Sequence, residues 1–162
     1  MSKWKEDKRW SDRFLPEIKR ILGEHLIAEP PIDEDAERNT DLIVLRLDAV
    51  RIGCRVRRFE YLARYGNEFT IRSGRPSNAK TELTKIIEGW GDYFFYAFSN
   101  ETETNLSKWI LGDLKALRLH INRCLFKGKQ PWADTQNNKD RSSSFVSFRH
   151  NEIDNFIIAH NP

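Results

Sequence analysis

The sequence predicts an α/β (α+β) fold: a central mixed sheet of about four core strands flanked by helices, in the order αβββαβ, then a long helix and a short hairpin. Three observations predict it. Apolar residues recur at helical spacing from Phe14 to Leu26, apolar and cationic residues alternate from Val50 to Arg57, and an unbroken apolar run fills Tyr93 to Phe98. At 162 residues the chain has the size of one ordinary domain, 1–162, with its core over 14–98, a packing helix over 105–127 and C-terminal strands over 142–160.

The opening MSKWKEDKRW is charged and reads as a loosely ordered lead-in or a short helical turn. Phe14, Leu15, Ile18, Ile21, Leu22 and Leu26 then make one apolar stripe, with Pro16 tolerated in the first turn of the helix and Glu17, Arg20 and Glu24 on its polar flank. The prolines and acids of AEPPIDEDAERNT mark a loop. DLIVLRL, Asp41 to Leu47, reads as a buried strand, and a turn at Asp48 and Ala49 leads into VRIGCRVRR.

In that second strand Val50, Ile52, Cys54 and Val56 share one face, and Arg51, Gly53, Arg55 and Arg57 share the other, because strand side chains alternate. EFTIRS repeats the pattern, with Phe69 and Ile71 opposite Thr70 and Arg72. Ser77 can cap a helix running to about Glu88, with Leu83, Ile86, Ile87 and Trp90 on its apolar stripe and Gly89 and Gly91 as its stop. DYFFYAF, apolar on both faces after its first residue, belongs in the middle of the sheet.

SNETETN is a polar loop, and Leu106 to Leu125 has the spacing of a long helix that stops at Gly128. Gln130 to Ser144 reads as an irregular connection. SSFVSF and NFIIAH read as two short strands joined through RHNEID, an added hairpin at a sheet edge.

Charge is segregated along the chain. Net charge is only +3, yet from Arg46 to Arg75 eight arginines face three acids, Asp48, Glu60 and Glu68, while Glu29 to Asp41 is acidic. Arginines at Arg51, Arg55, Arg57 and Arg72 on one sheet face would repel one another without an anionic partner, and their planar forks fit phosphate oxygens, which predicts a nucleic-acid partner, DNA first, with Arg75 as a further contact. The alternatives are a solvated strand surface with salt bridges to Glu60, Glu68 and Glu82, a face that binds an acidic protein, or a site for a small phosphorylated ligand.

Cys54 and Cys124 form no CxxC and no cluster with histidine, so reduced, partly buried thiols in a cytoplasmic protein are expected. His25, His120, His150 and His160 have no metal-like spacing and read as structural. No apolar run approaches the ~18 residues of a membrane span.

The order helix, three strands, helix, strand from Phe14 to Phe98 resembles the core of the PD-(D/E)XK nuclease superfamily, the restriction-endonuclease-like fold. The resemblance covers a little over half the chain and rests on element order. It implies a magnesium-dependent nuclease, in which a helix Glu, a strand Asp and a Glu-x-Lys meet at one sheet edge, the acids holding the metal and the lysine positioning the attacking water. Carried onto this chain, Glu24 or Glu17 is the helix acid and Asp41 the strand acid. The third motif falls on Thr70-Ile71-Arg72 or Arg55-Val56-Arg57, where no carboxylate stands and arginine replaces lysine.

Some members carry the missing groups on the second helix, which here offers Glu82 and Lys85. The resemblance thus implies Asp41 and Glu82 as magnesium ligands, with Glu24 and Lys85 as further catalytic candidates and Arg72 against the scissile phosphate. A protein of this kind that has lost cleavage would retain nucleic-acid binding, and a small chain of this type fits a phage or other mobile element. Without any such role, Asp41 simply begins a strand, Glu24 is a helix-surface carboxylate, and Glu82 and Lys85 are a surface pair.

Overall fold

The computed structural model describes residues 3–28, 43 and 44, 50–75, 79–138 and 142–161. The fold is α+β, with a mixed four-stranded sheet packed against a second, three-stranded one. The chain opens on helix α1 (Lys3–Asp12), longer than the lead-in or single turn that its composition predicts. A tertiary anchor accounts for the difference: the Trp10 indole donates to Glu103 Oε2 at 2.7 Å, and its ring meets Phe14 edge-on at 5.2 Å.

Helix α2 (Leu15–Leu26) follows as expected, with Pro16 in its first turn and Arg20 paired to Glu24 at 2.5 Å. Strand β1 (Ile27–Ala28) pairs antiparallel with β2 (Ile43–Val44). The remainder of the strand expected over Asp41 to Leu47 lies outside the described residues, as does the turn at Asp48 and Ala49.

Strand β3 (Ile52–Arg57) leads through a tight turn and a single helical turn, α3 (Leu62–Tyr65), to β4 (Glu68–Gly74). Helix α4 (Glu82–Ile87) is capped by Thr81, whose hydroxyl accepts from the Thr84 amide at 3.2 Å, and not by Ser77, which lies outside the described residues. Gly89 and Gly91, at φ 96° and 83°, turn the chain out of it. Strand β5 (Tyr93–Ser99) then runs between β3, to which it is parallel, and β6 (Leu106–Asp113), to which it is antiparallel. That central place suits a strand apolar on both faces.

The long helix expected over Leu106 to Leu125 is in fact a strand and a helix. β6 gives way at Asp113, whose carboxylate accepts from the Lys115 amide at 2.6 Å and so caps α5 (Leu114–Phe126). The apolar residues from Leu106 to Leu111 satisfy a strand as readily as a helix, and the decisive signal is the Gly112-Asp113 break. Gly112 is required by close approach, since a Cβ there would sit 2.2 Å from the Phe156 ring.

A further correction concerns Gln130 to Ser144. Strand β7 (Asp134–Asn137) lies within it and forms a hairpin with β8 (Ser144–Arg149). Strand β9 (Ile157–His160) does not pair with β8. It joins β6, giving sheet orders β3-β5-β6-β9 and β4-β8-β7. Residues His150 to Asn155 turn the chain from one sheet to the other, with Asn155 at φ 57°.

Each face of β5 has its own core. Phe95 and Ala97 pack with Val56 and Leu111 under Phe14, Ile18 and Ile21 of the N-terminal helices. Phe94, Tyr96 and Phe98 pack on the other side with Phe69, Ile71, Val146 and Phe148 of the second sheet and with Leu83, Leu114, Leu117 and Ile121 of α4 and α5. Cys54, expected on the core face, is exposed because β3 is the outer member of the order β3-β5-β6-β9. Among the described residues no helix is long and apolar enough to cross a membrane.

Glu103 fastens the N-terminal helices to this frame. The Trp10 indole lowers its carboxyl pKa most; Arg58 and then Arg13 lower it further, and partial burial opposes them. A carboxylate whose folded pKa lies below its unfolded one contributes stability above the unfolded value and loses it as pH falls through the folded one. Glu103→Gln should therefore melt earlier than the wild type at neutral pH and show a shallower loss of stability into acid. Thermal melts across that range measure both.

Candidate nucleic-acid interface

The β3–β5 register sets Arg55 beside Tyr96 and Arg57 beside Phe98, so both arginines leave β3 on the side that meets the second sheet. From that sheet β4 brings Thr70 and Arg72, on the face opposite Phe69 and Ile71. Arg55 Nη1 donates to the Thr70 carbonyl at 2.9 Å and to its hydroxyl at 3.4 Å. Arg57 Nη1 donates to the same hydroxyl at 3.1 Å, and the Tyr96 hydroxyl lies 3.3 Å from it. Thr70, only 2% exposed, is thus the hub on which two strand arginines converge.

Aromatic faces complete the arrangement. Arg55 and Arg72 each lie 5.5 Å from the centre of the Phe145 ring, and Arg57 lies 4.5 Å from that of Tyr61. Such stacking leaves guanidinium edges able to donate. Arg75 is exposed just beyond β4.

Among the described residues, one carboxylate answers these cations. Glu82 Oε2 accepts from Arg55 Nη2 at 2.5 Å and from the Arg72 amide at 3.0 Å. Arg72 itself is left with a deficit. Its Nε is buried and finds no hydrogen-bond partner among the described residues, and a buried donor left so costs about 1–3 kcal/mol. Burial lowers the pKa of its guanidinium, as do Arg55 and Arg75, while Glu82 pulls the other way. The Ser147 hydroxyl, on β8 directly across from Thr70, is also buried without a partner among the described residues.

Of the residues singled out in the sequence, the structure brings together Arg55, Arg57, Arg72 and Glu82, with Arg75 close enough to act on Arg72. Arg51 is exposed ahead of β3, its amide donating to Asp92 at 2.8 Å. Lys85 is exposed on α4. Glu24 is exposed on α2, on the other side of the four-stranded sheet, and Glu17 accepts from the Leu106 amide at 2.9 Å. Asp41 lies outside the described residues. Of the acids that could have neutralised the arginines, Glu82 reaches them, while Glu68 lies 3.6 Å from Arg149.

Thr70, Tyr96, Phe145, Ser147 and Tyr61 are residues of the site that sequence reasoning misses. The signal for Thr70 is its place between two buried apolar residues in the same alternation as Arg72. For Phe145 and Ser147 there is none, because only tertiary pairing of β8 with β4 puts them beside the arginines.

Of the two magnesium ligands that the resemblance implies, Asp41 lies outside the described residues, and Glu82 Oε2 accepts from two donors. Among the described residues no group of three or more His, Cys, Asp or Glu could hold a metal. His120 Nε2 lies 3.0 Å from the Pro131 carbonyl, and burial, then Lys108 and His160, lower the pKa of His150. A separate open groove of about 200 Å³ runs between α5 and the turn ahead of β9, where Arg123 pairs with Asp154 at 2.9 Å.

Glu82 restrains the cluster electrostatically, which gives a prediction with two signs. Glu82→Gln keeps an acceptor for the Arg72 amide but removes the charge that opposes the arginines. It should cost about 1 kcal/mol of stability, below the fully buried value because both partners keep some exposure. It should also tighten binding to DNA several-fold; urea melts and fluorescence anisotropy on the same variant read the two effects.

No protein-family model, curated protein or solved structure matches the chain.

Proposed function

We propose that the protein binds nucleic acid, DNA first, through the arginines gathered where β3 faces β4. The observation that carries this reading is the convergence of Arg55, Arg57 and Arg72 on Thr70 and Phe145, with Glu82 as their one carboxylate neighbour among the described residues. Like charges held this close favour a polyanion, because a phosphate accepts from guanidinium edges and relieves their repulsion together. Arg51 and Arg75, exposed before β3 and after β4, extend the cationic surface along a nucleic-acid backbone. The reading carries with it a cytoplasmic location, where nucleic acid is met.

The test is a binding and cleavage assay on circular, linear and single-stranded DNA, with magnesium, with manganese and with chelator, beside Asp41→Ala. Salt-sensitive binding that persists in chelator is expected. Metal-dependent cutting lost in Asp41→Ala would extend the function to the nuclease implied by the element order. Failure to bind any of the substrates would overturn the proposal, and an acidic protein surface would replace DNA as the partner.

A further inference from the structure

The connection from β3 to β4 carries RRFEYLARY, Arg57 to Tyr65, in which three aromatic residues are interleaved with three arginines and one acid. Phe59 is 41% exposed and Tyr61 38%, so both rings are open to a ligand. They stand on a fixed base. The Phe59 amide donates to the Ser99 hydroxyl at 3.1 Å, which ties the turn to the end of β5. The Tyr61 ring lies 6.4 Å from that of Tyr65, and Tyr65 and Leu62 pack against the core beneath.

The three arginines divide. Arg58 turns to Trp10 and Glu103 and belongs to the anchor of the N-terminal helices. Arg57 lies 4.5 Å from the centre of the Tyr61 ring while its Nη1 reaches Thr70, so Tyr61 is continuous with the arginine cluster. Arg64 is exposed, 5.1 Å from the centre of the Tyr65 ring. Open rings beside guanidinium groups match a ligand with flat apolar faces strung along an anionic backbone. An apolar protein segment would fit the rings, but it would have to strip water from the flanking Arg57 and Arg64.

We infer that Phe59 and Tyr61 form a base-stacking platform beside the arginine cluster, so that the protein prefers single-stranded DNA to duplex. In a duplex the faces of each internal base are covered by its neighbours, and only the backbone and base edges remain to be bound. An unpaired base has a face to give, and every base has one, so the platform is indifferent to sequence. The inference rests on the proposed nucleic-acid binding and adds strandedness to it.

The test compares three ligands of equal length by fluorescence anisotropy on the full chain: a strand of thymines, the same strand with abasic sites throughout, and the thymine strand paired with adenines. The thymine strand should bind roughly tenfold more tightly than the abasic one, which carries the same phosphates without bases. It should also bind more tightly than the duplex. Phe59→Leu with Tyr61→Leu removes the flat rings and keeps apolar bulk. That variant should lose most of the preference for thymines and hold its affinity for the abasic strand, which shows that the fold and the arginines are intact. Equal binding of the thymine and abasic strands, or an equal loss on both in the variant, would overturn the platform and leave nucleic-acid binding standing. No binding of any ligand would overturn both.

Discussion

Phe69→Ala should cost about 3–5 kcal/mol of stability, a drop in Tm of roughly 10 °C for a chain of this size. Phe69 is fully buried, and its ring stacks on Phe148 at 5.4 Å and on Phe156 at 4.6 Å while meeting Phe94 and Tyr96. It therefore joins both sheets, since Phe148 belongs to β8, Phe94 and Tyr96 to β5, and Phe156 stands just before β9. Alanine would leave a cavity bounded by elements that are each fixed by sheet hydrogen bonds, and such walls collapse poorly. Because Thr70 is the next residue, the variant that stays folded should also bind DNA less well. Chemical denaturation measures the first effect; a loss below about 1 kcal/mol would mean that the two sheets are not packed through this ring.

The second large effect concerns the arginines. Arg57→Ala with Arg72→Ala should weaken DNA binding roughly a hundredfold or more, since charge-assisted hydrogen bonds contribute about 1.5–3 kcal/mol each. Arg55 is left in place because its removal would strand Glu82. The slope of log affinity against log salt should fall by about 0.9 for each duplex phosphate that the variant no longer neutralises. Stability should change little, because Arg72 gives up a buried donor without a partner and an unfavourable proximity to Arg55 and Arg75. An unchanged affinity and salt slope would remove the cluster from the interface.

How much of this is legible in the chain follows from the range of the interactions. The period of α2, the alternation of β3 and β4 and the apolar run of β5 are local, and the sequence displays them. β6 is hidden because its apolar residues fit a helical stripe, and only the close approach of Gly112 to Phe156, 44 positions along, distinguishes the two. β7 is hidden because a polar edge strand has no apolar signature and exists through pairing with β8. Arg55, Arg57 and Arg72 are visible as a cationic alternation. That they belong to two different sheets and converge on Thr70 (Arg55 and Arg57) and Phe145 (Arg55 and Arg72) is not, because neither the turn through α3 nor the pairing of β4 with β8 is written in periodicity. The resemblance implies Glu82 as a metal ligand; its ion pair with Arg55 is a tertiary contact that the sequence does not display.

The most direct measurement of the central claim is the Arg72 Nε–H resonance, followed by NMR as duplex DNA is added to the isotopically labelled protein. Nε is buried and has no partner among the described residues in the absence of DNA. DNA held by the cluster should produce a large downfield shift and slowed hydrogen exchange at that proton, with smaller changes at Arg55 and Arg57. Shifts confined to the groove beside α5, with Arg72 unmoved at saturating DNA, would contradict it.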